Sequence, residues 1–281
     1  MSNADTPVVI LAGGRGARFD HESQVRPKPL IEVAGKPILG HIMDLFEAQG
    51  FDEFIILGGY LCDQISDYVA SRYECRARPR DYITVFGNRG ERVKAHVFDT
   101  GDDASTGERL YTLSADLMPV QPRFFLTYGD GLADVDLVDL LAHHDSVSRP
   151  REPGVTLTAV RPPGRFGVLD LAADDAVSGF REKSAEDWIN GGFMVVDRGV
   201  VTRYVPDFSD RKRAFDGPHE SFETGALPRL AREGHLNARR HAGYWRCMDT
   251  RRDLEQIEED VRAAGGRLPW RRDMMAPPKE G

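Results

Sequence analysis

The stretch Val8-Val9-Ile10-Leu11-Ala12-Gly13-Gly14-Arg15-Gly16-Ala17-Arg18 decides the fold of this chain. An apolar run of strand type ends abruptly in three glycines, which are interleaved with arginines. Glycine lets the backbone approach a ligand closely and adopt conformations that a β-carbon forbids. Backbone amides in such a turn form a cradle for anionic oxygens, to which Arg18 and Lys28 would add full positive charges. The stretch therefore predicts a strand followed by a loop that binds a polyphosphate.

Three kinds of phosphate-binding loop compete for this stretch. A P-loop has the pattern G-x-x-x-x-G-K-[ST], which begins at neither Gly13 nor Gly14. A dinucleotide-binding fingerprint has the pattern G-x-G-x-x-G, and Phe19 stands where its third glycine would be, which disfavours a dehydrogenase. The remaining pattern is L-A-G-G-x-G-x-R followed by Pro27-Lys28-Pro29. This second cationic element favours a binding loop over a plain glycine-rich turn.

Composition restricts the class of ligand. The 281 residues are enough for one large domain or two small ones. The 37 basic against 45 acidic residues give a net charge of −8, which argues against nucleic acid as a partner. Neither a secretory leader nor a long apolar run is apparent, so we expect no membrane association. Cys62, Cys75 and Cys247 lack metal-ligand spacing, and we interpret them as ordinary, partly buried thiols of a cytoplasmic protein.

The order of predicted elements indicates an α/β fold. In the first half, strands alternate with amphipathic helices, which predicts a mostly parallel sheet flanked by helices. The second half has shorter strands and turns, which predicts a small mixed α/β lobe. Predicted strands are 8–12, 54–57, 124–128, 154–160, 167–171, 177–180 and 192–196, and predicted helices are 37–49, 63–72, 135–143, 223–233 and 251–264. We expect one domain over residues 1–265, with halves at 1–145 and 146–265, and a loosely ordered tail over 266–281.

Two carboxylates follow strand-like runs and are candidate metal ligands. Asp130 stands between two glycines, and Asp249 follows the stretch 245–248. Magnesium usually takes one or two carboxylates together with phosphate oxygens and water. Each residue has a structural alternative, because Asp130 could form an Asx turn and Asp249 could cap the next helix.

Other polar segments have weaker signals. The acidic run 99–107 lacks EF-hand spacing and no flanking helix is predicted, so we interpret it as a polar loop near phosphate or base. His143 and His144 are interpreted as a solvated helix end. The pair Glu182-Lys183 could bind sugar hydroxyls and a phosphate, although such pairs are common on surfaces. Two glycines in Asn190-Gly191-Gly192 indicate a backbone that lies close to a ligand.

Together these motifs resemble those of sugar-nucleotide pyrophosphorylases, which are nucleotidyltransferases, and in particular the glucose-1-phosphate cytidylyltransferase branch. The resemblance runs from about Val8 to about Asp253 in unbroken order. Besides the glycine loop and Pro27-Lys28-Pro29, the matching blocks are 33–39, 41–43, 99–102, 128–131, 162–167, 190–193 and 248–250. The family implies a Rossmann-like nucleotidyltransferase core of the GT-A type. It also implies a cytoplasmic homo-oligomer that acts in nucleotide-sugar biosynthesis.

The resemblance assigns roles residue by residue. The residues that would bind the nucleotide are Leu11, Ala12, Gly13, Gly14, Gly16, Arg18, Lys28, Thr106, Arg109 and Gly129. Those on the sugar-phosphate side are Arg165, Gly167, Glu182, Lys183, Asn190 and Gly191. Asp130 and Asp249 would hold Mg²⁺, and Arg18, Lys28 and Asp130 would be catalytic. The implied reaction joins CTP and α-D-glucose 1-phosphate into CDP-glucose and pyrophosphate, by in-line attack on the α-phosphorus.

Three departures from the family pattern leave alternatives open. Ala17 replaces a threonine, Glu108 replaces a glycine and Ser184 replaces a proline. The same reaction with UTP or dTTP, or with another sugar 1-phosphate, is therefore an alternative. A non-catalytic nucleotide-sugar sensor is a further alternative, against which Lys28 and the two candidate metal carboxylates argue.

Overall fold

The computed structural model describes residues 6–14, 16, 25–73, 82–86, 92–113, 121–148, 152–161, 167–171, 177–182, 188–208 and 221–271. The strands are β1 (Val8–Leu11), β2 (Glu32–Val33), β3 (Lys36–Pro37), β4 (Glu53–Gly58), β5 (Tyr82–Phe86), β6 (Arg92–Asp99), β7 (Arg123–Tyr128), β8 (Gly131–Ala133), β9 (Val155–Val160), β10 (Gly167–Leu171), β11 (Val177–Glu182), β12 (Ile189–Asp197), β13 (Leu236–Arg240) and β14 (Trp245–Cys247). The α-helices are α1 (Ile38–Ala48), α2 (Cys62–Arg72), α3 (Thr106–Thr112), α4 (Leu137–Val147), α5 (Arg198–Tyr204), α6 (Leu227–Glu233) and α7 (Arg251–Ala263). Lys28–Leu30 forms a 3₁₀ turn and Phe222–Ala226 a π-helical turn.

In the described part of the chain, eight strands form a central sheet in the order β13-β9-β12-β7-β1-β4-β6-β5. All of them except β5 and β12 run in the same direction. The predicted mostly parallel α/β sheet is thereby confirmed. Strands from residues 1–145 and from 146–265 share this sheet, while β10 and β11 form a separate two-stranded hairpin.

The first strand has a core on each side. Val8 and Ile10 belong to one apolar cluster, and Val9 and Leu11 belong to another, because successive side chains of a strand point to opposite faces. The first cluster includes residues of α1 and α7, and the second includes residues of α5 and α6. A strand of a parallel sheet that helices cover on both faces has a continuous apolar sequence, and β1 has this pattern.

A helix begins where none was predicted. Helix α3 starts at Thr106, near the end of the acidic run 99–107, so the prediction that no helix flanks this run was wrong. Ser105 is its N-cap, with its hydroxyl accepting from the amide of Glu108 (3.1 Å) while the Glu108 carboxylate accepts from the amide of Ser105 (2.6 Å). This capping box is the signal S-x-x-E, which is readable in the sequence.

The prediction of a solvated histidine pair at the end of α4 was wrong for His144. Its ring is 2% exposed, and Nε2 lies 3.2 Å from Oδ1 of Asp197. The other carboxylate oxygen of Asp197 accepts from the Ser148 hydroxyl (3.2 Å) and the Gly154 amide (2.9 Å). Burial alone would raise the pKa of Asp197, but these hydrogen bonds outweigh it and hold the pKa below its ordinary value. Asp197 thus joins α4 and β9 to the end of β12.

The start of the predicted loose tail is packed. Trp270 is 3% exposed, and its ring lies edge-on to that of His41, with centroids 5.0 Å apart. Trp270 therefore differs from the prediction of a loosely ordered tail, and residues 272–281 lie outside the described ranges. Among the described helices, none is both long and apolar enough to cross a lipid bilayer.

We expect Asp197→Asn to lower the free energy of unfolding by about 2 kcal/mol at pH 7, because charge-assisted hydrogen bonds to a partly buried carboxylate are lost. A depressed native pKa stabilises the fold above the unfolded-state pKa of about 3.9 and loses this effect as the pH falls through the native value. The difference between wild type and variant should therefore shrink below about pH 4. Urea denaturation across pH 3–7 measures it.

The matched control is Asp139→Asn, which removes an exposed ion pair with Arg239 (2.7 Å). Such a pair contributes less than about 1 kcal/mol, so this variant should stay close to wild type. A gap for the Asp197 variant that is unchanged at low pH would contradict the assignment.

Candidate active site at the carboxyl edge of the sheet

The glycine loop begins where three parallel strands end together. The amide of Ala12 donates to Leu57 (2.9 Å), and the amide of Gly129 donates to Leu11 (2.9 Å), so the ends of β4 and β7 fix the end of β1. Gly14 has φ +143° and Gly16 has φ +58°, conformations that favour glycine. Leu11 and Ala12 are 5% and 2% exposed, so the side chains of both residues are buried in the core.

Arg109 lies directly behind the loop. Its side chain is 1% exposed, and it donates to the carbonyl of Gly58 (2.7 Å) and to the hydroxyl of Thr100. A β-carbon added to Gly13 would lie 2.0 Å from Cζ of Arg109, and one added to Gly59 would lie 2.6 Å from Nη1. Burial outweighs the nearby carboxylates and lowers the pKa of Arg109. The residue predicted to contact the nucleotide thus packs beneath two glycines of the site.

Thr106 uses its hydroxyl within the protein. Oγ1 donates to the carboxylate of Glu223 (2.6 Å) and accepts from the amide of Phe222 (2.9 Å). Glu108, the departure from the family pattern in this segment, is occupied in the capping box of α3. Its carboxylate therefore has a structural role at the start of that helix.

A lysine between two carboxylates forms the centre of the site. Nζ of Lys28 lies 2.6 Å from Oδ2 of Asp130 and 2.7 Å from Oδ1 of Asp249. Burial would lower the pKa of Lys28, but the two carboxylates outweigh it and raise the pKa, so the ammonium stays charged. The exposed fraction of the side chain is 13% for Lys28, 25% for Asp130 and 47% for Asp249, which leaves the carboxylates open on one side.

Two local structures bring these distant residues together. Strands β8 and β14 pair as a short antiparallel ribbon, and the amide of Met248 donates to the carbonyl of Asp130 (2.9 Å), which places Asp249 beside Asp130. A β-carbon at Gly129 would lie 3.0 Å from Cγ of Pro29, so glycine there lets the 3₁₀ turn carrying Lys28 pack closely.

Asp249 is not the cap of the following helix. Thr250 is the N-cap of α7, in a capping box with Asp253. The Asp253 carboxylate accepts from the amides of Asp249 (3.0 Å) and Thr250 (2.9 Å), which orients the backbone just before the helix. The carboxylate of Asp249 therefore points to Lys28, and the capping alternative is wrong.

The donor set fits a divalent cation. Ligand atoms of Asp130, Cys247 and Asp249 all lie within 4.8 Å of one another. Burial and the two carboxylates raise the pKa of the Cys247 thiol, which keeps it protonated and leaves two oxygen donors. Two carboxylates with space for phosphate oxygens and water are the ligands that magnesium prefers, and Lys28 already shows that a cation is stabilised between them.

The glycines predicted on the sugar side pack against protein. Gly192 has φ +85°, and a β-carbon there would lie 2.8 Å from the ring of Tyr128. The carbonyl of Gly191 accepts from the indole of Trp245 (2.8 Å). Asn190 turns its amide oxygen to the backbone of Gly192 (2.9 Å) and its amide nitrogen toward the Tyr128 hydroxyl (3.5 Å).

Of the remaining predicted site residues, the structure describes only some. Gly167 and Glu182 are directly paired in the β10–β11 hairpin. Arg18, Arg165 and Lys183 lie outside the described residues. The sequence motifs did not predict a role for Glu223, whose carboxylate accepts hydrogen bonds from the Tyr128 and Thr106 hydroxyls at the same edge. No sequence pattern singles it out, because a lone acid in a helical segment is common.

A mostly parallel sheet with its glycine loop after the first strand defines the class of α/β enzymes that bind nucleotides at the carboxyl ends of the strands. The sequence profile of the Nucleotidyl transferase family matches residues 7–263. The chain belongs to this family, whose members generally use a divalent metal.

Two relatives agree with this membership over nearly the whole chain. A glucose-1-phosphate cytidylyltransferase from Salmonella typhimurium is 37% identical over 273 residues, covering 94% of this chain and 98% of the relative. A probable glucose-1-phosphate cytidylyltransferase from Bacillus subtilis is 34% identical over 260 residues, covering 89% and 94%.

The fold agrees with a solved structure as well. HddC from Yersinia pseudotuberculosis, crystallised in complex with GMP-PN, superimposes with a TM-score of 0.63 and 22% identity. The match covers 91% of this chain and 99% of HddC, so the two proteins share their architecture throughout.

The contact between Arg109 and Gly13 predicts a strong energetic coupling. Gly13→Ala should cost about 1–3 kcal/mol, because the buried guanidinium cannot move without breaking its hydrogen bonds. In an Arg109→Ala background the new methyl group has space, and the added cost should fall below about 0.5 kcal/mol. Chemical denaturation of the four proteins in this double-mutant cycle measures the coupling.

Gly14→Ala is the matched control, since a β-carbon there contacts nothing and only its positive φ opposes the change. Its cost should be the same with and without Arg109. Additive costs for Gly13→Ala and Arg109→Ala would refute the contact.

Proposed function

We propose that this chain transfers the cytidylyl group of CTP to glucose 1-phosphate, giving CDP-glucose and pyrophosphate. The observation that carries the proposal is Lys28, held between Asp130 and Asp249 at the sheet edge where the glycine loop begins. The two relatives, a glucose-1-phosphate cytidylyltransferase and a probable one at 34–37% identity over at least 89% of the chain, support CTP and glucose 1-phosphate as the substrates.

The chemistry needs no general base. The second pKa of a phosphate monoester is about 6, so the attacking oxygen of a sugar phosphate is already ionised near neutral pH. The protein must then align this oxygen with the α-phosphorus of CTP and neutralise the charge that develops as pyrophosphate leaves. Among the described residues assigned to the proposed site none is a histidine, which agrees with this requirement.

We assign the developing charge to Lys28. Its ammonium is fixed by two carboxylates and stays protonated, so it can interact with the phosphates of both substrates without prior reorganisation. Arg18 is proposed as the second cation of the triphosphate site, beside the backbone of Gly13, Gly14 and Gly16. Arg109 supports this loop from behind, and Thr106 joins the start of α3 to the π-helical turn.

Asp130 and Asp249 are proposed to hold Mg²⁺. When bound there, the ion would screen the phosphate oxygens of the substrates from one another and from the carboxylates. The sugar phosphate would lie on the side of β10–β12, where Arg165, Gly167, Glu182, Lys183, Asn190 and Gly191 are the proposed contacts. The family resemblance further supports a cytoplasmic homo-oligomer without nucleic-acid or membrane partners.

The function is tested by pyrophosphate release from the purified full chain. CTP, UTP, dTTP and ATP are each paired with glucose 1-phosphate and other sugar 1-phosphates, with Mg²⁺ and with excess chelator. We expect the highest kcat/KM for CTP with glucose 1-phosphate and loss of turnover with chelator. Another preferred nucleotide would refute the base assignment, and failure with every pair would favour the nucleotide-sugar sensor.

Lys28→Ala and Asp130→Asn should each lower kcat by about 100-fold or more, because each removes charge stabilisation from the transition state. The control is Lys94→Ala, which removes a lysine that is paired with Glu53 (3.0 Å) away from the site. This control should retain wild-type turnover. Near-normal kcat in a folded Lys28 or Asp130 variant, verified by circular dichroism, would overturn the assignment.

A further inference from the structure

One carboxylate joins two hydroxyl groups at the edge of the sheet. Oε1 of Glu223 accepts from the Tyr128 hydroxyl (2.5 Å), and Oε2 accepts from the Thr106 hydroxyl (2.6 Å). Hydrogen bonds from hydroxyl groups to a carboxylate at these lengths are strong and geometrically restrictive. We call Glu223, Tyr128 and Thr106 the carboxylate clamp.

The clamp spans the two sides of the proposed site. Tyr128 is the sheet partner of Leu11 and stands two residues before Asp130. Thr106 opens α3, the helix that carries Arg109 behind the glycine loop. Glu223 itself lies in a π-helical turn, and such turns occur frequently at functional sites. The clamp therefore lies next to chain segments that carry proposed nucleotide and metal contacts.

Glu223 determines which way the hydroxyl protons point. An ionised carboxylate can only accept, so Tyr128 and Thr106 must both donate their single protons to it. Each hydroxyl oxygen is then left with lone pairs alone. Thr106 already accepts from the Phe222 amide, and the amide nitrogen of Asn190 lies 3.5 Å from the Tyr128 oxygen. The surrounding groups are donors, which agrees with this polarity.

We propose that Glu223 is a positioning residue that makes the carboxylate clamp an acceptor for a hydrogen-bond donor of the substrate. The inference rests on the proposed function and names the chemistry that the clamp selects. Two substrate groups supply such a donor, namely a hydroxyl of the sugar and the 4-amino group of cytosine. A substrate that offers only an acceptor there would leave two lone pairs facing each other and would bind less well.

The decisive variant is Glu223→Gln, whose amide group must donate and so forces one hydroxyl to reverse. Two comparisons of kcat/KM resolve the source of the donor. The first is CTP against UTP, and the second is glucose 1-phosphate against its monodeoxyfluoro analogues, each of which has lost the donor at one hydroxyl position. We expect wild type to discriminate at least about tenfold in one comparison, and Glu223→Gln to reduce that ratio severalfold. Glu223→Asp keeps both acceptor oxygens and should preserve the ratio even at a lower rate.

Glu233→Gln is the matched control. Glu233 accepts from the Tyr204 hydroxyl at 2.6 Å, which is the same chemistry on α6, outside the clamp. This variant should leave both ratios and the rate unchanged. Tyr128→Phe keeps the ring against Gly192 but removes the acceptor, and it should also reduce the ratio, so the proposal stays testable if Glu223→Gln does not fold.

Three outcomes would overturn the inference. They are an equal loss of kcat/KM for every substrate, wild-type ratios in Glu223→Gln, and a wild type that uses donor and non-donor substrates alike. An inactive wild type is a different result, because it refutes the proposed reaction and not the clamp.

Discussion

The interaction on which the site depends is the contact of Lys28 with Asp130 and Asp249. Two carboxylates that converge would repel one another, and each would lose hydration, unless a cation lay between them. The ammonium of Lys28 provides that cation and joins three separate parts of the chain. The strand ends, the β8–β14 ribbon and the close packing at Gly129 are all arranged so that this contact forms.

A second cation, Arg109, packs against Gly13 of the glycine loop. Lys28 is partly exposed, whereas Arg109 is buried and donates to the backbone carbonyl of Gly58. Both charges favour anions in this part of the molecule. The described residues therefore combine a fully buried cation beneath the loop with a partly exposed cation that two carboxylates hold in place.

Much of the architecture could be predicted from the sequence, because strands buried on both faces, such as β1, give long apolar runs. The glycine loop and both candidate metal carboxylates were recognised from the residues that surround them. Helix α3 was missed because its capping box was overlooked within the acidic run, and the burial of His144 could not be predicted because its partner Asp197 is distant in sequence. Local patterns indicate elements and motifs, while polar contacts between elements appear only when the chain is folded.

The packing of Arg109 against Gly13 and Gly59 has a consequence for how this loop can change. Gly13 and Arg109 share one volume, so a larger residue at Gly13 requires a smaller one at Arg109. A β-carbon at Gly59 would also lie 2.6 Å from the carbonyl oxygen of Gly101, so a change there needs the backbone at Gly101 to move as well. Single substitutions in a mutant library would mostly sample damaged loops, whereas paired substitutions could reach new loop shapes. Positions that are distant in sequence are therefore coupled by packing, and natural variants should change at these positions together.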